Sequence, residues 1–214
     1  VSPDGGTVYF ARGTVPTPKQ QIDIYRIPIM GGVPQKLVEA AQGWISVSRD
    51  GQKLSFVRCF HHDDDYCSLW TADAVDGSNE KMIVSRPRPI RMGDNQISPD
   101  GAKIAFAVGQ SRTASNEFEL HAVDIQSGQE RLLTPEKFFV INYIAWLPDQ
   151  NGLLITAKKL PDRNSRIWYI STSTGEARAL TDDAETYFRL GLDADARLIV
   201  STRVEPDFRL NVFQ

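Results

Sequence analysis

Residues 98–108 read SPDGAKIAFAV, a tight-turn tetrapeptide followed by an apolar strand. Proline presets the first corner of a type I turn, aspartate bonds to the backbone just beyond itself, and glycine accepts the left-handed conformation that starts the next strand. The same pattern occurs at residues 2–5 (SPDG, then VYFAR) and 48–51 (SRDG, then KLSFVR). The pattern therefore predicts a β-hairpin that is repeated along the chain.

Two weaker copies extend the series. Residues 147–152 read LPDQNG and lead into LLITAK, and residues 193–196 read DADA and lead into LIVSTR. The aspartates of the five turns are separated by 46, 50, 49 and 46 residues, and they are Asp4, Asp50, Asp100, Asp149 and Asp195. A spacing this constant indicates a repeat architecture.

Each period has room for four strands. The strand after the tight turn is followed by an alternating strand, a glycine turn and a shorter strand, and a short apolar stretch such as WISV (44–47) precedes the next tight turn. We therefore expect an all-β fold, a β-propeller of four-stranded antiparallel blades. An immunoglobulin-like sandwich would not repeat the turn motif, and a parallel β-helix has much shorter coils. About four and a half repeats are predicted, at approximately 1–42, 43–92, 93–140, 141–186 and 187–214.

The first predicted repeat lacks its innermost strand and the last lacks its outermost strand. We therefore expect the segment to be part of a larger ring. Unpaired strand edges bind other strands readily, so self-association through open blade edges is a further expectation.

The repeat resembles that of TolB-type propellers in its SPDG turn, its K-[IL]-[AS]-F strand, its D-x-x-x-G turn and its closing L-T or L-V. Residues 98–134, which end in RLLT, are the closest copy. Such propellers occur in periplasmic TolB, in caps of prolyl oligopeptidase-like proteases and in sensors attached to bacterial kinases or winged-helix regulators. The resemblance implies that the longer connections lie on the face opposite the tight turns. It also implies a periplasmic or other extracytoplasmic location.

The overall charge argues against two classes of partner. The chain has 24 Lys and Arg against 27 Asp and Glu, so it lacks the basic excess that drives binding to nucleic acid. Its apolar stretches fall short of the roughly 20 residues that a membrane-spanning helix needs. We expect neither nucleic-acid binding nor membrane insertion of this segment.

Cys59 and Cys67 flank the sequence FHHDDDY. A hairpin there would bring their Cα atoms within disulfide distance, and a close pair in a chain with no other cysteine suits an oxidising compartment. We expect a disulfide. The alternative is two free thiols in a cytosolic loop.

The same loop carries imidazole and carboxylate groups that suit zinc or manganese, and they are His61, His62, Asp63 and Asp65. Adjacent side chains point apart, and spacing identifies no remote ligand. A solvated acidic hairpin tip is therefore the alternative to a divalent-metal site. We expect no other cofactor.

Candidate ligand-binding residues lie in the predicted connections between blades. Arg86, Arg88 and Arg91 concentrate guanidinium groups in one connection, where they suit carboxylate or phosphate recognition. Three aromatic residues at comparable points are predicted to line the channel mouth, and they are Phe138, Tyr143 and Tyr187. The alternatives are a solvated loop for the arginines and core packing for the aromatic residues. His121 is predicted to pack within a blade, because the other repeats carry Tyr or Trp there.

These observations favour a non-catalytic propeller that binds a protein, a peptide or a small molecule at the face of the long loops. The sequence has no G-x-S-x-G motif and no paired catalytic groups. The alternative is a propeller that belongs to an enzyme. Such an enzyme would be a metal-dependent lyase, or a prolyl oligopeptidase-like peptidase in which the propeller is the gating cap.

Overall fold

The computed structural model describes residues 1–13, 22–42, 44–59, 65–110, 116–192 and 197–204. Regular structure within these ranges is entirely β, in five antiparallel sheets that follow one another along the chain. Blade 1 contains β1 (Thr7–Gly13), β2 (Ile22–Pro28) and β3 (Gln35–Ala41). Blade 2 contains β4 (Ile45–Val47), β5 (Lys53–Cys59), β6 (Tyr66–Asp73) and β7 (Lys81–Pro87).

The remaining sheets follow the same plan. Blade 3 contains β8 (Ile90–Ile97), β9 (Lys103–Gln110), β10 (Glu117–Asp124) and β11 (Glu130–Leu132). Blade 4 contains β12 (Val140–Trp146), β13 (Gly152–Lys158), β14 (Arg166–Ser171) and β15 (Ala177–Ala179). Blade 5 contains β16 (Thr186–Leu192) and β17 (Ile199–Val204).

Strands pair in sequence order within every sheet, so the predicted all-β fold with four-stranded antiparallel blades is confirmed. The first sheet has three strands and lacks an inner one, as the sequence predicted. In the described part of the chain the last sheet has two strands. The predicted connection between blades that contains Arg86, Arg88 and Arg91 is mostly strand, because β7 continues to Pro87 and β8 begins at Ile90. Blade 3 therefore begins three residues before the predicted boundary at residue 93.

The tight turns show why their residue types recur. In the third turn, Asp100 Oδ1 accepts hydrogen bonds from Ser98 Oγ (2.6 Å) and from the Ala102 N–H (3.0 Å). Gly101 has a φ of 73°, which favours glycine. In the fourth turn Gln150 takes the left-handed position with a φ of 61°. The weaker fourth copy of the motif thus keeps the turn geometry, although glycine is absent from that position.

The core lies between blades rather than within them. On β9, Ile104 and Phe106 pack towards blade 2, whereas Ala105 and Ala107 pack towards blade 4. Phe106 is fully buried, which contributes about 2–3 kcal/mol relative to an exposed side chain. Because side chains alternate along a strand, one strand contributes residues to two separate apolar layers.

Candidate ligand-binding channel

The innermost strands are β4, β8, β12 and β16, and neighbouring ones contact each other. Of these, β4, β8 and β12 each end at a described tight turn. In three of the four inner strands the pairing register shifts, and each shift begins five residues before the last paired residue of the strand. On β8 the pairing jumps from Met92↔Val108 to Asn95↔Phe106, and β12 and β16 have similar register shifts between Ile141 and Tyr143 and between Tyr187 and Leu190. A bulge redirects a side chain, and bulges are frequent beside functional sites.

Counting back from the turn identifies equivalent residues on the inner strands. The last paired residues of these strands are Val47, Ile97, Trp146 and Leu192. The residue three positions earlier is different in every blade. We call these four residues the channel tier, and they are Trp44, Asp94, Tyr143 and Arg189.

Asp94 is the most deeply buried member of the tier, with 4% of its surface exposed. Its Oδ2 accepts a hydrogen bond of 2.7 Å from the Ile144 N–H of the next blade. Burial raises the pKa of Asp94 to about 7, although that hydrogen bond and the charge of Arg189 act in the opposite direction. The carboxyl group therefore changes its charge near neutral pH.

Tyr143 lies close to both charged members of the tier. Burial raises the pKa of its hydroxyl, the charge of Asp94 adds to this effect, and the charge of Arg189 opposes it. A hydrogen bond with the Gln96 side chain also lowers this pKa. Gln96 is held in place because its Oε1 accepts a hydrogen bond of 3.0 Å from Ser46 Oγ.

A groove of about 710 Å³ runs along the inner strands to Tyr143. Its outer part is lined by the tight turns, through Arg49, Pro99 and Pro148. Gln96 and Trp146 line its walls. The combination of apolar walls and a few convergent polar groups is typical of ligand sites.

The three predicted arginines occupy different environments. Arg86 lies on the outermost strand of blade 2, and its Nη2 is 2.5 Å from Glu130 Oε2 of blade 3. Arg88 lies in the turn after β7, with its Nε 3.1 Å from Asp65 Oδ1. Arg91 is exposed on β8. Arg86 and Arg88 thus each contact a carboxylate of the chain itself.

The three predicted aromatic residues also lie in different environments. Phe138 is 1% exposed and packs edge-on against Trp168, with ring centroids 5.6 Å apart, so it belongs to the core rather than to the channel mouth. Tyr187 lies near the start of β16 and donates a hydrogen bond of 2.7 Å to Asp183 Oδ2. Tyr143 is a member of the channel tier.

The predicted metal ligands His61, His62 and Asp63 lie outside the described residues, so that site stays a prediction. Asp65 is described and contacts Arg88. Within the described ranges, no group of three or more His, Cys, Asp or Glu side chains could hold a metal ion.

Cys59 and Cys67 face each other on β5 and β6, with Cα atoms 3.8 Å apart, and the structure joins them as a disulfide. Cys67 Sγ also accepts a hydrogen bond of 3.1 Å from the Met92 N–H. The pair therefore links the hairpin of blade 2 to the inner strand of blade 3.

His121 lies between two carboxylates on the outer part of blade 3. Its Nδ1 is 2.6 Å from Glu130 Oε1, and its Nε2 is 3.1 Å from Glu119 Oε2. Burial alone would lower the pKa of His121, but the two glutamates raise it overall. Since Glu130 also contacts Arg86, the group forms an ionic link between blades 2 and 3.

Sequence reasoning missed Trp44, Asp94 and Arg189. Alignment of the repeats on their tight turns would have identified them, because the three residues stand at the same distance before the turn as Tyr143. Because they differ in chemical type, no residue type recurs at this position of the repeat.

No family model matches the chain. Over 104 residues it is 27% identical to dipeptidyl-peptidase 5 of Porphyromonas gingivalis, a match that covers 48% of this chain and 15% of that protein. TolB from Acinetobacter baumannii has a TM-score of 0.69 at 18% identity, over 91% of this chain and 46% of that chain. Oligogalacturonate lyase in complex with manganese also has a TM-score of 0.69, at 15% identity, over 97% of this chain and 58% of that chain. A putative TolB from Agrobacterium tumefaciens has a TM-score of 0.64 at 20% identity, over 85% of this chain and 63% of that one.

The repeated four-stranded sheets and the contacts between their inner strands define this chain as a partial β-propeller. More narrowly, its fold is that of the TolB-like propellers, as the repeat motif predicted. The chain spans about half the length of the Acinetobacter TolB chain, 46% of it. The described part of the chain contains no helix with the length and hydropathy needed to cross a membrane.

Proposed function

We propose that this chain is the binding part of a propeller protein and that its ligand contacts the channel tier. The observation that carries the proposal is the variety of side chains at one repeated position, which are Trp44, Asp94, Tyr143 and Arg189. Repeated core positions carry similar residues, as Phe56 and Phe106 do, because the same space must be filled in every blade. Packing alone gives no reason for an aromatic, an acid, a phenol and a base at equivalent sites.

The chemistry of the tier suits a peptide or a small polar ligand. Trp44 is 37% exposed and offers an aromatic surface, and Arg189 is exposed and offers a cation. The expected partner is therefore a protein, a peptide or a small molecule. Because the outer part of the groove lies among the tight turns, we propose that the ligand enters from that face rather than from the long-loop face expected from the sequence, whose segments 14–21, 60–64 and 111–115 lie outside the described residues.

A selection experiment tests this function. A random peptide library displayed on phage is selected on the immobilised chain, and enriched peptides are then measured against variants of the tier. We expect binding to be lost with Trp44→Ala and with Arg189→Ala. Arg178→Ala is the matched control, because Arg178 is exposed on β15, the outermost strand of blade 4. Enriched peptides that bind all three variants equally would contradict the proposal, as would a selection that enriches none.

A second candidate function is the propeller of a peptidase, and the similarity to dipeptidyl-peptidase 5 favours it. In that case the tier would contact a peptide on its way to a catalytic domain elsewhere in the protein. The full-length protein should then release dipeptides from peptide substrates, whereas the propeller alone should not. Full-length protein that lacks such activity would leave the binding function as the better account.

Location outside the cytoplasm belongs to the same proposal. The pairing of Cys59 with Cys67 supports it, since disulfides persist in oxidising compartments. Thiol labelling of the protein taken directly from its native cells, with and without a reductant, measures this pairing. Cysteines that react fully without a reductant would argue for a reducing compartment.

A further inference from the structure

We propose that the channel tier recognises a carboxylate of its ligand through the Arg189 guanidinium and the Tyr143 hydroxyl, and that proton uptake by Asp94 strengthens this binding. The inference rests on the binding function proposed above and adds to it the ligand class and its regulation. It is argued from the orientation of Tyr143, the anchoring of Arg189 and the burial of Asp94.

The hydroxyl of Tyr143 is arranged to donate a hydrogen bond. Ser46 Oγ donates to Gln96 Oε1, which holds the Gln96 amide beside Tyr143. In the proposed arrangement the Gln96 NH2 group donates to the phenol oxygen. The hydroxyl proton remains available for an acceptor in the groove that Tyr143 lines.

Arg189 is fixed at its backbone while its side chain is exposed. Its N–H donates to Thr202 Oγ1 (3.2 Å), and its carbonyl accepts from Ser201 Oγ (2.7 Å), so β17 holds the bulge on both sides. Among the described residues its guanidinium has no carboxylate within salt-bridge distance. A guanidinium binds a carboxylate through two parallel hydrogen bonds.

The charge of the tier matches one carboxylate. One guanidinium and one neutral hydroxyl suit a monoanion better than a dianionic phosphate. The three groups lie near each other, because Asp94 Oδ2 bonds to the N–H of the residue after Tyr143 and Tyr143 packs with Leu190, the residue after Arg189. Their mutual effects on pKa agree with this. A carboxylate bound by Arg189 and Tyr143 would therefore lie close to Asp94.

Asp94 then controls the affinity through its own charge. The titratable and charged groups that act on it are Tyr143 from β12 and Arg189 from β16. The residues that contact Gly93 and Asn95, the chain neighbours of Asp94, from the start of β4, from β5 and from β9 are uncharged, and they are Trp44, Ser55 and Ala107. When ionised, Asp94 repels the ligand and competes for the charge of Arg189, and when protonated it does neither. Because burial raises the pKa of Asp94 to about 7, the affinity for a carboxylate should fall as the pH rises through neutrality.

An NMR titration with a defined probe tests the proposal. The probe is N-acetyl-triglycine, which has a free carboxylate, and its C-terminal amide is the comparison. We expect the acid to bind roughly tenfold more tightly at about pH 6 than at about pH 8, a change that a charge a few ångströms away can produce. The amide should not bind at either pH. Neither Arg189→Ala nor Tyr143→Phe should retain the affinity of the unchanged chain.

Two further variants complete the test. Asp94→Asn should bind the acid equally at both pH values, at the higher affinity, and Arg178→Ala should behave like the unchanged chain. Failure of the acid to bind, equal binding of acid and amide, or a pH-independent affinity of the unchanged chain would overturn the inference. Phage-selected peptides that still depend on Trp44 and Arg189 would then leave the binding function standing without carboxylate recognition.

Discussion

Replacement of Asp94 by asparagine should stabilise the chain, and the gain should grow with pH. The folded pKa of Asp94 is about 7, against an ordinary value of 3.8, because burial disfavours the carboxylate. The unfolded chain therefore loses this proton near pH 4, whereas the folded chain keeps it until about pH 7. Asp94 thus lowers the stability progressively as the pH rises from about 4 to about 7. A difference of about 3 pKa units corresponds to about 4 kcal/mol.

Asparagine removes this penalty and keeps the hydrogen bond, since its amide oxygen can accept the Ile144 N–H. Urea denaturation followed by tryptophan fluorescence at several pH values between about 5 and 8 measures the effect. Asp100→Asn is the matched control, because the hydrogen bond from Ser98, with that from Ala102, lowers the pKa of Asp100. This control should lose stability at neutral pH rather than gain it. An advantage of Asp94→Asn that stays constant or shrinks between pH 5 and 7 would refute the reasoning.

Three further predictions concern the stability of the blades and of the contacts between them. Gly109→Ala should cost about 3 kcal/mol in urea unfolding, because its Cβ would lie 2.0 Å from the Glu117 carbonyl oxygen, whereas Gly93→Ala, with its nearest contact at 3.4 Å, should cost much less. Equal costs would contradict this. Replacement of both Cys59 and Cys67 by alanine should lower the unfolding free energy by about 2–3 kcal/mol, and a reductant should not destabilise that variant further. His121→Gln should cost more stability at about pH 6 than at pH 9, because the stabilisation from a raised pKa is lost as the pH rises through it. A pH-independent cost would argue against the ionic link.

The blades were predictable because their signals are local. Asp100 bonds to Ser98 and Ala102, so a few adjacent residues determine the turn. The point at which β7 ends was not predictable in the same way. Prolines at 87 and 89 indicated a loop, but an outermost strand can end in proline, since one side of it needs no hydrogen-bonding partner.

The candidate site was less predictable than the fold, for a different reason. Tyr143 was selected as an aromatic residue between blades, but Asp94 and Arg189 had no chemical signal of their own. They can be recognised as equivalent residues only once the structure shows the bulges on their strands. The sequence does not show where the pairing register of two strands shifts. Phe138 was predicted to line the channel mouth but is buried, because an aromatic residue in a connection between blades can equally fill the core.

The division of β9 between two apolar layers has a consequence for how the molecule loses its structure. A blade such as blade 3 has no hydrophobic interior of its own, so the cooperative unit of folding is the contact between neighbours rather than the sheet. Opening one contact leaves the next intact, and amide hydrogens should exchange with solvent in steps along the chain. Blades 2, 3 and 4, which have an apolar layer on both sides, should exchange after blades 1 and 5.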